Sequence, residues 1–189
     1  MTLWRYGGRR PRVDPEGTWV FPSADVIGNV VIGPNVYIGA NAVIRGDYGK
    51  VVIKEGSAIE ESVTIHARPG GTTLIEENVT VGHAAMLHNC TLKKGCVIGM
   101  NSTVTDYAVV GEGAIVAEGA VVKARSEIPS GMVAAGIPAE VKGEVNPKHT
   151  EFWKATKQMY QQLAKDYPNK LKEMSWEECT KHRRKRKKK

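Results

Sequence analysis

Three of the chain's five histidines, His66, His83 and His88, fall within 23 residues. A lone histidine is more often a solvated or hydrogen-bonded side chain than a ligand, but imidazoles gathered this densely can hold a transition metal. Three imidazoles with an open fourth position suit Zn²⁺, with Fe²⁺ or Co²⁺ as alternatives, and the open position marks catalysis more than a closed structural site. Glu60 and Glu61 lie just ahead of this group, and Arg45 and Asp47 earlier still. Carboxylates can orient imidazoles or move protons, and a guanidinium can hold an anion or a carboxylate. Cys90, Cys96 and Cys179 are too few and too unevenly placed for a disulfide framework. Cys90 and Cys96 read as small buried wall residues, and their spacing is weak evidence for a metal.

Whether these side chains meet depends on a repeat. Ile98, Val104, Val110, Val116, Val122 and Ile128 recur every six residues, and Ser102, Ala108, Ala114, Ala120 and Ser126 place a small residue four positions after each anchor from 98 to 122. The same register runs upstream through Ile32, Ile38 and Ile44, then Ile59 and Ile65, then Ile75, Val81 and Leu87. A six-residue period fits neither an amphipathic helix nor a simple alternating strand. It predicts an all-β fold, a parallel β-helix of hexapeptide repeats in which each hexad forms one flat of a triangular coil. The aliphatic residue points inward, and the small residue lets the chain turn the corner. A β-sandwich would show turn signals every 8–12 residues without so strict a period.

Three hexads make one turn, and turns stack at roughly 4.8 Å. Three extra residues between Ile44 and Ile59 and a four-residue insertion in Arg68-Pro69-Gly70-Gly71-Thr72 interrupt the count. Once these are allowed for, Arg45, His66 and His88 each stand one place after an anchor on the same flat, forming a column. His83 stands two places after Val81 on the preceding flat. Roughly 12–16 Å of chain separate it from His88, so the three histidines of one chain are not expected to converge. A second copy related by a threefold axis would supply His83. Glu61 falls one turn below His83, where it can orient that imidazole or reach across the interface.

Four regions follow: an N-terminal arm (1–17), the coil (18–144), a helical segment packed on the coil (145–180) and a disordered basic tail (181–189). Asn146-Pro147 should start a helix whose apolar face carries Phe152, Trp153, Thr156, Met159, Tyr160, Leu163 and Tyr167, ending at Tyr167-Pro168. A weaker helix should include Leu171, Met174 and Trp176. The formal net charge is +7, from 27 cations and 20 acids, but the last nine residues hold eight of those cations. The body is therefore nearly neutral and makes a poor nucleic-acid surface. Aromatics at 6% supply no base-stacking platform. No run approaches the roughly 18 apolar residues of a membrane span, nor is there an apolar signal region, so the sequence predicts a soluble cytoplasmic protein.

Ile44-Arg45-Gly46-Asp47, Ile65-His66, Gly82-His83, Leu87-His88, Ile98-Gly99-Met100 and Ala135-Gly136-Ile137-Pro138-Ala139 together resemble the gamma-class carbonic anhydrases and their relatives. The resemblance spans roughly residues 18–165 and is nearest to the hexapeptide proteins of phenylacetate degradation and the carnitine operon. It implies a left-handed β-helix with a C-terminal helix, assembled as a homotrimer. Each interface metal, Zn²⁺ by preference, would be held by His66 and His88 of one subunit and His83 of the next, and the reaction would be reversible hydration of carbon dioxide to bicarbonate. Arg45 and Asp47 match the family's Arg-Gly-Asp positions, implying an interface ion pair that orders the site or serves structure alone.

The sequence also departs from that family. Glu60-Glu61 stands where many members have Gln-Asp, exchanging an amide donor for an acceptor-only carboxylate. Glu60 would then repel bicarbonate or take over proton transfer. Ala67-Arg68-Pro69-Gly70-Gly71 replaces the acidic proton-shuttle loop of the best-known archaeal member, and Ala58 replaces a polar residue near the site. Two other functions remain open: an acyl-CoA thioesterase or hexapeptide acyltransferase acting on a CoA thioester, with His88 or His66 able to serve as a metal-free base, and a non-catalytic metal-binding or assembly protein. An acyltransferase should lack the three-histidine set.

Overall fold

A computed structural model describes the backbone of residues 2–185 and the side chains of residues 2–180. The anchors build the core. Ile32, Ile38, Ile44, Ile59, Ile65, Ile75, Val81, Leu87, Ile98, Val104, Val110, Val116, Val122 and Ile128 all lie in one continuous buried cluster, with Ala108, Ala114 and Ala120 beside them. β-branched anchors suit the short flats, and small residues let three flats close around so narrow an interior.

Two parallel sheets wrap this core. An eight-stranded sheet stacks Trp19–Val20, Tyr37–Ile38, Ala58–Ile59, Thr80–Val81, Val97–Ile98, Ile115–Val116 and Met132–Ala135, and ends on the antiparallel strand Glu140–Glu144. A twelve-stranded sheet covers the other two flats, joined by the long strand Val43–Ile53, which pairs with Thr64–His66 over its first part and with Thr72–Ile75 over its last. The fold is the left-handed parallel β-helix with a C-terminal helix. Thr2–Trp4 and Arg12–Val13 both pair with Asp25–Ile32, so the N-terminal arm adds strands to the first turn.

The three extra residues after Ile44 form a bulge. Gly28 pairs with Gly46 and Val30 with Val51, leaving Asp47, Tyr48, Gly49 and Lys50 opposite Asn29. Gly28, at φ 76°, lets the strands approach there, since a Cβ would come within 2.6 Å of the Gly46 carbonyl oxygen.

Helix α1 spans Pro147–Lys170, and the Asn146 side chain caps it by accepting from the Lys148 amide. It runs past Pro168, the expected stop, because that proline sits in the last turn, where Leu171 N–H still donates to the Tyr167 carbonyl at 3.0 Å. Its packing face is Ala164, Tyr160, Leu163 and Tyr167 against Tyr37, Ala58 and Trp19. Ring centroids lie 5.2 Å apart for Tyr37–Tyr160 and 5.8 Å for Trp19–Tyr167. Ala58 thus serves the helix contact, leaving room for Ala164. Phe152 and Met159, expected on this face, point outward, because Lys157 and Gln161 take inward positions and bond the coil at the Gly95 and Gly56 carbonyls.

Helix α2 spans Trp176–Lys185. It starts later than Leu171 and Met174 because Ser175 and Glu178 form a capping box: the Glu178 amide donates to Ser175 Oγ, and the Ser175 amide to Glu178 Oε2. The backbone of 181–185 continues this helix where composition predicts disorder, with Glu177 and Glu178 at its N-terminal end. The rest of the expected tail, 186–189, lies outside the described residues. No described helix is long and apolar enough to cross a membrane.

Candidate functional site

Register pairs Arg45 with His66 and His66 with His88 on three successive turns. The two imidazole centroids stand 5.2 Å apart. Each ring is held by its own carboxylate: His66 Nε2 meets Asp47 Oδ1 at 3.0 Å, and His88 Nδ1 meets Asp106 Oδ1 at 2.9 Å. Among the described residues one ring nitrogen on each, His66 Nδ1 and His88 Nε2, has no such partner.

The bulge explains how Asp47 reaches the column. Its carboxylate also accepts from Arg45 Nη1 at 2.8 Å and from the Tyr48 amide at 2.9 Å, while Arg9 from the N-terminal arm donates to its backbone carbonyl. Burial alone would raise the Asp47 carboxyl, but the bonds from His66 and Tyr48 and the Arg45 charge outweigh it and hold the group below the usual carboxylate range. Arg45 remains 44% exposed, so part of its guanidinium faces solvent. Arg68, from the loop that replaces the acidic one, lies 3.9 Å from Asp106.

His83 sits elsewhere. It follows Thr80–Val81 on the eight-stranded sheet, one turn above Ala58–Ile59. Both ring nitrogens face acids: Nδ1 meets Glu61 Oε2 at 2.7 Å, and Nε2 meets Glu60 Oε2 at 3.1 Å. Tyr37 donates to Glu61 Oε1 at 2.7 Å, and the His83 amide donates to Glu60 Oε2. Glu60 is 5% exposed. Burial pushes its carboxyl up, partly offset by His83 and by a hydrogen bond from Tyr160. Within one chain Glu60 and Glu61 therefore serve His83 and not the His66–His88 pair. The His83 side chain is 46% exposed and faces outward.

The column fits a metal. Two imidazoles on one tetrahedral ion, at metal–nitrogen distances near 2.0–2.1 Å, place their centroids about 5 Å apart, matching the observed spacing. A carboxylate on the non-ligating nitrogen is the usual support for a metal-binding histidine. Among the described residues no three candidate ligands of one chain converge, so a third ligand would have to come from elsewhere, and His83 would first release Glu60 or Glu61. Cys90 and Cys96 are buried in the core, where burial pushes the Cys90 thiol up to about 12 and the Cys96 thiol higher. Neither is available as a thiolate.

Sequence counting missed Asp106. Leu87 pairs with Val104, so the register neighbour of His88 is Thr105, and Asp106 reaches back from the next position. It also missed Arg9, which belongs to an arm without a repeat.

Residues 16–46 match the family model described as bacterial transferase hexapeptide (six repeats). The carnitine operon protein CaiE of Salmonella agona is 35% identical over 164 residues, covering 87% of this chain and 82% of that protein. CaiE of Escherichia coli is 35% identical over 163 residues, covering 86% and 83%. A hexapeptide transferase family protein from Anaplasma phagocytophilum superposes with a TM-score of 0.84 at 33% identity, covering 88% of this chain and 98% of that one. With this coil, this length of shared sequence and these matches, the chain belongs to the hexapeptide-repeat family that includes the carnitine operon proteins CaiE.

Proposed function

We propose that three identical chains assemble so that the His66–His88 column of one and His83 of the next enclose a metal ion, and that this centre hydrates carbon dioxide reversibly. The observation that carries the reading is the pair of stacked imidazoles 5.2 Å apart, each oriented by a separate carboxylate. Zn²⁺, or alternatively Fe²⁺ or Co²⁺, would supply hydroxide at neutral pH, as Zn²⁺ does by lowering the pKa of its water to about 7. Asp47 and Asp106 fix the imidazole tautomers. The exposed side of Arg45 can hold an oxyanion such as bicarbonate. Glu60, its carboxyl pushed up by burial and touching both His83 and Tyr160, is placed to pass a proton between the site and solvent.

Hydration followed by stopped flow, before and after chelation of the full chain, tests this. Turnover should vanish on chelation and return with Zn²⁺; metal-loaded protein without turnover would refute the assignment. Glu60→Gln should raise turnover severalfold by removing a charge that opposes bicarbonate, and a fall would assign Glu60 to proton transfer instead. Asp106→Asn should weaken metal affinity about 10–100-fold in chelator competition, without moving the melting temperature by more than a few degrees.

A second reading has its own support. The His88–Asp106 contact leaves Nε2 as an oriented base, the arrangement used in acyl transfer, and the relatives named above include a hexapeptide transferase family protein. The matches to transferases of this repeat speak for group transfer, which on a CoA thioester would be acyl transfer or hydrolysis; the three histidines speak for the metal. Thioester turnover that survives chelation in the absence of hydration would select this second reading.

A further inference from the structure

Far along the coil from the first turns, a cleft of about 480 Å³ separates α1 from one corner of the β-helix. At Gly56 that corner is filled: a Cβ there would come within 2.6 Å of Asn78 Oδ1 and Gln161 Nε2, which bond each other at 3.1 Å. The next corner residue is Asn78 itself, and two and three turns after Gly56 the corner residues are Gly95 and Gly113, linked turn to turn by Gly95 N–H to Glu77 O and Gly113 N–H to Lys94 O. A Cβ on either would meet nothing within 4 Å. Two successive corners without side chains leave α1 bridging open space. Val97 and Ile115 form apolar lining on the coil, and Trp153 does so on the helix. A second hollow of about 370 Å³ shares these three residues and adds Phe152, one of the side chains α1 turns away from its main contact.

Lys157 enters this apolar space. Its Nζ donates to the Gly95 carbonyl at 3.0 Å and lies 5.9 Å from the Trp153 ring centroid, and among the described residues it has no carboxylate partner. Burial pushes its amine down to about 8, the mark of a cation short of compensating charge. Lys94 and Lys154 add positive charge to the lining, against Glu112 as the acid there. An ammonium bonded once still has two donors to give, and the cleft is within the size range of small-molecule sites, about 300–1,000 Å³.

We propose that this cleft binds a small organic carboxylate, its apolar body between Trp153 and the Gly95–Gly113 corner and its anionic end on Lys157. The site is independent of the histidine column and does not rest on the function assigned there.

Calorimetric titration of the full chain with octanoate, and with 1-octanol as the uncharged match, tests it. Octanoate should bind once per chain, about tenfold or more tighter than the alcohol, as a charge-assisted hydrogen bond predicts. Lys157→Met should bring the two to parity, with Lys157→Gln in its place if the methionine variant does not fold. Gly113→Asn, a corner residue the coil already accommodates at positive φ in Asn78, should weaken both ligands about tenfold by filling the mouth. His88→Ala should leave octanoate affinity unchanged. Equal binding of the acid and the alcohol to the native chain, or octanoate binding that persists in both cleft variants, would overturn the proposal.

Discussion

His88→Ala should lose its metal and keep its fold. The side chain lies outside the core on a flat whose inward residue, Leu87, is fully buried, so truncation removes a ligand without opening a cavity. Asp106, its partner, is 27% exposed and can be resolvated. The loss of affinity should exceed the about 10–100-fold expected from removing a supporting carboxylate, read as metal per chain by elemental analysis beside an unchanged far-ultraviolet spectrum. His83→Ala should lose metal equally. Chains of the two variants unfolded and refolded together should regain it in part, since a His83→Ala chain still offers the column and a His88→Ala chain still offers His83. Metal retained in either single variant, or absent from the mixture, would contradict a site shared between copies.

One residue earlier, the expected effect is on stability. Leu87→Ala empties a position with no exposure in the middle of the coil and should cost about 2–5 kcal/mol in urea unfolding. Met86→Ala, on a side chain 50% exposed, should change stability by no more than about 0.5 kcal/mol. A Leu87 cost below about 1 kcal/mol would show that the coil collapses around the gap and that the anchors do not set its stability singly.

That contrast between adjacent residues shows why much of the molecule is legible in the sequence. A coil whose wall tolerates only an aliphatic anchor and a small corner residue records its register in every hexad, so the column of Arg45, His66 and His88 follows from counting once the insertions are placed. Glu61 under His83 follows in the same way, and the structure puts them 2.7 Å apart. Contacts that leave the vertical register do not follow from counting. Asp47 reaches His66 from the bulge, outside the paired register, and Asp106 meets His88 from one position beyond its register partner. Glu60 is visible in sequence as a departure from the resembling family, but its burial against His83 and Tyr160 depends on where α1 docks. That docking is carried by Tyr37, Ala58 and Ala164, and helix periodicity alone misplaces Phe152 and Met159 because it cannot see that Lys157 and Gln161 have backbone carbonyls to bond on the coil.

The proposed function depends on the histidine column being a metal centre. Metal content per chain, measured on protein purified without chelators or a histidine tag, addresses it most directly. About one equivalent of Zn²⁺, Fe²⁺ or Co²⁺ per chain is expected, as three ligands per site and one site per chain require. Protein that carries no metal and takes up none on reconstitution would contradict it, and would leave His88 and Asp106 as a metal-free acid–base pair.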